Sequence, residues 1–466
     1  MIAQLPMKRL TIALLLCCAW ALAESPSVVA IRNAKIVTVS GPVISKGTVV
    51  VRNGLIEEVG ANVQVPAGAW IVDGEGLTVY PGLIDALSTV GMPGAAPAAG
   101  ATGGGRGGRG QTTTPATPGA AATATPELRS MGPEDRPQTT SWEIAADMIS
   151  PTDRRIETVR GGGITTAVTF PTRGIFAGQG SVIDLMSDEK AGDMVVESPA
   201  GQYISVSGGR GFGGGFPTSL MGVIAYIRQV YLDIDHYKLV KAAYDKDPRG
   251  MQRPEYDRAL EGVMASPRIL LPANRLVEID RMLHFADELK QPAILYGGHE
   301  GYREGAADLL KKYNVPMLVS LRWPEPPRDV DPDSEPSMRT LQTIDQAPAV
   351  PEMFEKAGVK FAFYSDGIDT PRDLQHAVKK AIDAGLSREE AIRAMTLAPA
   401  QIYGIDNRVG SIEKGKIANL VVTRGELFDD RTKIEMVFVD GKQYKPAEAS
   451  PAAGRGTPTN QSGGNQ

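Results

Sequence analysis

The fold is decided by residues 268–321, which read RILLPANRLVEIDRMLHFADELKQPAILYGGHEGYREGAADLLKKYNVPMLVSL. Short apolar runs at 268–271, 293–296 and 315–321 alternate with longer stretches at 275–290 and 302–313 that have helical character. Strands that alternate with helices are typical of a parallel sheet covered by helices. This stretch therefore predicts an α/β protein.

The same alternation extends in both directions, from about 141 to 400. Further strands are predicted at 79–85, 164–170, 203–206 and 359–364, and the predicted helices cover 150–160, 219–244, 371–384 and 387–395. These strands total seven with the three above. An eight-stranded barrel needs one more, which we place in 181–186.

Both ends of the chain have β character instead. Residues 28–78 contain short β-branched runs, and Asn53-Gly54 between two of them is a strong hairpin signal. Residues 405–445 return to strands, with a second hairpin signal at Asp440-Gly441. We therefore expect residues 24–78 and 404–446 to form one small β-sandwich, interrupted by a barrel over 79–403.

Three segments are expected to lie outside these domains. Residues 1–23 combine a basic start, an apolar run and a small-residue cleavage site at 21–23, as in a secretory signal peptide. Residues 91–126 and 447–466 are rich in Gly, Pro, Thr or Ser and poor in large apolar side chains, which predicts disorder. The expected location is periplasmic or secreted, with no membrane span after cleavage.

Composition narrows the function classes. The chain has 49 Lys and Arg against 54 Asp and Glu, a net charge of −5, which argues against nucleic-acid binding. Both cysteines, Cys17 and Cys18, lie in the predicted signal peptide. The mature chain is thus expected to have no disulfide, no thiolate metal site and no cysteine nucleophile. Its four histidines and its acidic side chains are then the candidates for catalysis or metal binding.

Four motifs, in this order and spacing, resemble the amidohydrolase superfamily over nearly all of 28–445. They are Pro-Gly-Leu-Ile-Asp (81–85), Gly-Ile-Thr-Thr-Ala-Val (163–168), Thr-Leu-Ala-Pro-Ala (396–400) and Gly-Ser-Ile-Glu-Lys-Gly-Lys-Ile-Ala-Asn-Leu-Val-Val (410–422). Asn419 stands where the family usually has Asp. Gly-Gln-Gly (178–180) makes the chain similar to the imidazolonepropionase-like subgroup.

The resemblance implies a (β/α)8 TIM-like barrel with its site at the carboxyl ends of the strands. It also implies a bound divalent metal, usually zinc, that activates water to attack carbon–nitrogen bonds other than peptide bonds. The implied substrate is a small-molecule amide or cyclic amide.

Most of the metal ligands that the resemblance implies are replaced. Leu87 and Thr89 stand at the His-x-His pair of the first strand, and Pro272 stands at the histidine of the fifth. His299 lies one or two places after the sixth-strand position. Asp366 matches the acid that ends the eighth strand and is the predicted catalytic residue.

Two hypotheses follow. The chain is a hydrolase that uses Asp366, with zinc or another divalent metal held by fewer or displaced ligands, or it is an inactive relative that acts as a binding module or as the partner of an active paralogue. In both cases Leu87, Thr89, Pro272 and His299 are pocket candidates, and no residue is assigned as a metal ligand. The sequence leaves the oligomeric state, a homo- or hetero-oligomer, open.

Overall fold

The computed structural model describes residues 28–93, 136–187, 189–206, 217–326, 335–368 and 370–446. The predicted signal peptide, residues 94–126 of the predicted insertion and the tail at 447–466 lie outside the described residues. Among the described residues, no helix combines the length and the apolar composition needed to cross a membrane.

The described residues form sixteen strands. In chain order these are β1 (Val28–Ile36), β2 (Ile44–Arg52), β3 (Leu55–Gly60), β4 (Trp70–Asp73), β5 (Thr78–Pro81), β6 (Leu83–Ser88), β7 (Ile164–Thr169), β8 (Phe176–Asp184), β9 (Val195–Ile204), β10 (Ile269–Ala273), β11 (Ala293–Gly297), β12 (Met317–Ser320), β13 (Phe361–Tyr364), β14 (Leu420–Arg424), β15 (Lys433–Val439) and β16 (Lys442–Tyr444).

The same residues form ten α-helices. These are α1 (Arg154–Gly161), α2 (Leu220–Lys246), α3 (Arg258–Ala265), α4 (Leu276–Leu289), α5 (Ala306–Tyr313), α6 (Met338–Gln346), α7 (Val350–Ala357), α8 (Pro371–Asp383), α9 (Arg388–Ala394) and α10 (Leu397–Tyr403). Helix α1 begins later than the sequence predicted. It begins after Asp153 and not at 150, because the Asp153 carboxylate caps the helix by accepting a hydrogen bond from the Arg155 backbone N–H; it also accepts one from the Gly91 backbone N–H.

Strands β6 to β13 form a nearly closed eight-stranded barrel sheet, in the order β13-β12-β11-β10-β9-β8-β7-β6. The eighth strand expected at 181–186 is β8, but it pairs antiparallel with both β7 and β9. The prediction of eight parallel strands is therefore wrong for this one. The physical reason is that β7, β8 and β9 follow one another without an intervening α-helix, so the chain must reverse direction at each turn.

The first and last barrel strands are joined by a buried carboxylate. Asp85 of β6 accepts hydrogen bonds from the Ser365 backbone N–H at 2.9 Å and from the Ser365 hydroxyl at 2.6 Å. Gly82 connects β5 to β6 at a point where an added Cβ would lie 2.0 Å from the Thr165 hydroxyl. The Pro-Gly-Leu-Ile-Asp motif therefore closes the barrel and needs glycine for close packing.

Strands from both ends of the chain form the second sheet, as the sequence predicted. Its order is β16-β15-β14-β5-β1-β2-β3, and β4 pairs with β1. All eight strands thus belong to one hydrogen-bonded sheet, whereas the sequence predicted a small β-sandwich. Both predicted hairpins are confirmed, with positive φ at Asn53, Gly54, Asp440 and Gly441.

Alternation along β14 shows how the two units pack. Leu420 and Val422 belong to the core of the second sheet, whereas Val421 between them belongs to the core around the barrel. A separate apolar cluster that includes Ile84, Val168, Leu270, Ile294 and Leu318, all from barrel strands, fills the inside of the barrel. The barrel is therefore packed below its mouth, and a ligand can enter only above these side chains.

Candidate functional site

The carboxyl ends of the barrel strands surround Asp366. This residue follows β13 by two positions and has a left-handed backbone, with φ of 50°. Its Oδ2 accepts a hydrogen bond from the Ser320 hydroxyl at 2.8 Å, and the Arg322 guanidinium donates to its backbone carbonyl at 2.8 Å. Its Oδ1 accepts no hydrogen bond from the residues that the structure describes. Asp366 thus keeps one free acceptor in a half-buried position.

Burial changes the acidity of this group. Removal from water raises the pKa of the Asp366 carboxyl, while the hydrogen bond from Ser320 and the charge of Arg322 lower it; burial has the largest effect. The carboxyl therefore binds a proton more readily than an exposed aspartate does.

Three tyrosines line the mouth beside Asp366, and the sequence analysis did not identify them. The rings of Tyr203 and Tyr296 stack with centroids 5.5 Å apart, and the Tyr296 hydroxyl donates to the Tyr203 hydroxyl at 2.9 Å. Tyr364 meets Tyr296 edge to face, with centroids 6.3 Å apart. Burial raises the pKa of each hydroxyl, and the charge of Asp366 raises it further. All three tyrosines are therefore neutral and close to Asp366.

A glycine makes room for a fourth ring at this end of the barrel. Phe170 follows β7 and lies 6.2 Å from Tyr203, centroid to centroid. An added Cβ at Gly180 of β8 would lie 2.2 Å from the Phe170 ring. The neighbouring Gln179 is buried, and its side-chain amide donates to the carbonyls of Ser141 and Gly262. The Gly-Gln-Gly motif therefore positions Phe170 and ties β8 to α3.

The predicted pocket residues from the first and fifth strand positions bring no metal donors. Leu87 is buried in the same apolar cluster as Phe170 and Tyr364. Pro272 pairs in register with Tyr296 and has no donor atom in its side chain. Thr89 accepts a hydrogen bond from the Arg155 guanidinium at 3.1 Å, so a positive charge already lies beside its hydroxyl.

His299 lies beside Ser320, the residue whose hydroxyl donates to Asp366. Its ring lies 6.2 Å from the Trp323 ring, centroid to centroid, and it hydrogen-bonds the Ser320 backbone. Its Nε2 is buried and has no hydrogen-bond partner among the described residues. Burial lowers its pKa to about 4, so the imidazole is neutral at pH 7. The structure therefore places the tyrosines close to Asp366 and connects His299 to Asp366 through Ser320.

A catalytic zinc ion takes about three protein ligands and a water. Asp366 is one donor, and the neutral tyrosines, Leu87 and Pro272 supply no others. Within the described ranges, no group of three or more His, Cys, Asp or Glu side chains is arranged to hold a metal ion. The described residues at this mouth therefore supply fewer such ligands than a catalytic zinc ion takes.

A surface cavity of about 410 Å³ lies away from the barrel mouth, beside α2 and α3. Its main charged group is Arg136, which forms ion pairs with Asp233 at 2.5 Å and with Asp257 at 3.2 Å. Asp233 and Asp257 thus already have a charged partner, so the barrel mouth is the stronger candidate for a functional site.

Comparisons of the sequence with known proteins give matches to short parts of this chain. Residues 338–444 match the model of the Amidohydrolase family. The chain is 48% identical over 50 residues to N-acetylglucosamine-6-phosphate deacetylase of Haemophilus influenzae, and 38% identical over 68 residues to an adenine deaminase of Clostridium botulinum. These matches cover 10% and 15% of this chain and only 13% and 11% of those proteins.

Solved structures show the fold over a longer range. An amidohydrolase from Thermotoga maritima superposes with a TM-score of 0.68 at 24% identity, covering 90% of this chain and all of the other. Phenylurea hydrolase B gives a TM-score of 0.50 at 16% identity, covering 90% of this chain and 97% of the other. The chain therefore shares the fold of these solved structures, and its residues 338–444 resemble the Amidohydrolase family.

Proposed function

We propose that this chain is an amidohydrolase-family protein whose barrel mouth binds a small amide or cyclic amide without metal-dependent hydrolysis. The proposal depends on one observation, which is that the metal-binding side chains implied by the resemblance are replaced at the mouth. Leucine, threonine and proline occupy positions where the resemblance has histidines, while Asp366 keeps an unpaired carboxylate oxygen among neutral tyrosines.

The chemistry of the mouth selects the ligand. The free Oδ1 of Asp366 accepts hydrogen bonds, so a bound molecule must offer an N–H or O–H group to it. The aromatic side chains of Tyr203, Tyr296 and Tyr364 offer surface for a flat, partly apolar group. A small amide or lactam provides both features, and it was also the substrate class that the resemblance implied.

The test combines metal content, turnover and binding on one preparation of the full chain. We expect sub-stoichiometric zinc, iron and manganese by mass spectrometry, no hydrolysis of a panel of lactams and N-acylated amino acids, and binding of at least one panel member by calorimetry. Asp366→Asn should abolish that binding, and Asp235→Asn, which changes an exposed acid on α2, should leave it intact. Stoichiometric metal that is lost in the Asp366 variant, together with turnover, would refute the proposal.

A second candidate is a carbon–nitrogen hydrolase, and the position of Asp366 favours it. The acid stands at the end of the eighth barrel strand, and burial raises its pKa, which suits a group that accepts a proton during catalysis. The short matches to a deacetylase and a deaminase give two substrate classes to assay: N-acetylated amino sugars and aminopurines. Turnover that requires added metal and disappears in Asp366→Asn would select this candidate.

We further propose export through cleavage after residue 23, and a place in the imidazolonepropionase-like subgroup. The first rests on the composition of residues 1–23, and the second on the four motifs together with Gly-Gln-Gly at 178–180. Amino-terminal sequencing of protein from the periplasmic fraction tests export, and a mature terminus at Glu24 is the expected result.

A further inference from the structure

The long helix α2 has one face that is exposed along its whole length in the described structure. Residues 3 or 4 apart along this helix lie on the same side. The outer face of α2 comprises Met221, Ala225, Arg228, Leu232, His236, Leu239, Ala243 and Lys246, all exposed. Met221, Leu232 and Leu239 are 84%, 62% and 70% exposed. Three large apolar side chains therefore follow a solvent-facing line on one helix.

The opposite face of α2 is buried, but only along its first half. Val223, Tyr226, Ile227, Val230 and Ile234 pack into the core around the barrel. Beyond Ile234, no residue of α2 is fully buried. The last three turns thus extend from the core, and Leu239 projects from a part of the helix that the fold itself covers poorly. A helix that is apolar on both sides is typical of a helix packed on both sides.

We propose that the outer face of α2 binds the same face of a second copy of this chain, with the two helices antiparallel and the twofold axis at Leu232. In this register, residues whose numbers are equally far from 232 lie opposite each other. Met221 then faces Ala243 of the second copy, and Leu239 faces Ala225. Met221 and Leu239 each meet an alanine, and Leu232 meets Leu232 of the second copy at the axis, so the two helices can approach closely along about 33 Å.

The charges on this face favour the antiparallel arrangement. Parallel helices in register would set Arg228 against Arg228 and Lys246 against Lys246. Antiparallel helices remove both contacts. They set Arg228 opposite His236 of the second copy, one residue from Asp235 of that copy. Asp235 is exposed and has no ion pair among the described residues, while Arg228 already binds Glu288 at 2.6 Å. The second copy therefore supplies Asp235 with a partner.

A single helix pair buries less surface than a standard protein interface of about 1,600 Å², so we expect a dimer that dissociates at micromolar concentration. Sedimentation velocity of the full chain between about 1 and 100 μM should show monomer shifting to dimer. Leu232→Glu and Leu239→Glu should each remove the dimer. Met338→Glu is the matched control, because Met338 is 71% exposed but lies on α6. A wild-type chain that stays monomeric over this range, or a dimer unaffected by both substitutions, overturns the proposal.

Disulfide trapping tests the direction of the helices. In a chain carrying Cys17→Ser and Cys18→Ser, the separate variants Ala225→Cys and Leu239→Cys are mixed and oxidised. Antiparallel packing predicts a disulfide between the two different variants and little between identical ones. Efficient crosslinking of Ala225→Cys to itself would show a parallel pair and contradict the register.

Discussion

Two buried carboxylates lie at opposite ends of the barrel and have different surroundings. Asp184, at the end near the second sheet, accepts hydrogen bonds from the Thr166 hydroxyl at 2.8 Å and from the Asn419 amide at 2.7 Å. Asp366, at the mouth, accepts one from Ser320. Asp184 is 3% exposed, whereas Asp366 is partly open to solvent. The first is closed by the protein itself, and the second keeps an acceptor for something else.

This difference separates a structural acid from a candidate ligand-binding one. The Asn419 side chain also accepts from the Asp440 backbone N–H at 2.8 Å, so it joins β14, the following hairpin and the barrel. A carboxylate at 419 has no N–H to donate to Asp184. The asparagine that departs from the family pattern is therefore explained by Asp184 and not by catalysis.

The largest effect is expected for Asn419→Asp. It replaces the amide donor with a second carboxylate at hydrogen-bond distance from Asp184, in a buried site. We expect a loss of about 3–5 kcal/mol in the free energy of unfolding, from a broken hydrogen bond and a buried like-charge pair. Urea denaturation measures it, with Asn407→Asp on an exposed turn as control. A loss below about 1 kcal/mol would contradict the structural role of this pair.

The next effect is a pH dependence that belongs to Asp184. Burial is the largest influence on this group and raises its pKa from 3.8 to about 7. Because the folded-state pKa lies above the unfolded one, the stability contribution is complete below about pH 4 and is lost as pH rises through 7. Asp184→Asn stays neutral throughout. Relative to this variant, the wild type should lose stability between pH 4 and 8, by no more than roughly 4 kcal/mol. A constant difference across that range would show that Asp184 does not titrate there.

The elements of the fold were largely predictable from sequence because they depend on local patterns. Strands β10 (Ile269–Ala273) and β11 (Ala293–Gly297) are short, mainly apolar runs. The hairpins at Asn53-Gly54 and Asp440-Gly441 need positive φ, which those residues adopt readily. The direction of β8 was not predictable in this way. A strand has the same apolar pattern in either direction, and the neighbours that fix it are distant in sequence.

The candidate site was predictable only in part. The positions of Leu87, Pro272 and Asp366 followed from motifs, but the tyrosines come from three separate strands and carry no motif. The alternation of side chains along a strand could have identified Tyr296, because it lies two residues after the inward-facing Ile294 and so faces the same way. Strand register decides which inward-facing residues meet at the mouth, and local sequence patterns do not predict that register.

A smaller effect is expected within the tyrosine cluster. Tyr296→Phe removes the hydroxyl that donates to Tyr203 while keeping both rings stacked. We expect a loss of about 1 kcal/mol in the free energy of unfolding, the usual net value of one hydrogen bond. Thermal denaturation measures it, with Tyr256→Phe at a 70% exposed position as control. An equal change in both variants would mean that the hydroxyl pair does not stabilise the mouth.

The smallest change in stability is expected for Asp366→Asn, and this completes the contrast with Asp184. Asparagine tolerates the left-handed backbone at this position and can still accept the hydrogen bond from Ser320. It also removes a charge that burial disfavours, so the free energy of unfolding should stay within about 0.5 kcal/mol of the wild type or rise slightly. A binding acid placed for a ligand should be dispensable for folding but essential for binding. If Asp366→Asn instead destabilised the chain as strongly as Asn419→Asp, the carboxylate at the mouth would be a structural group, like Asp184.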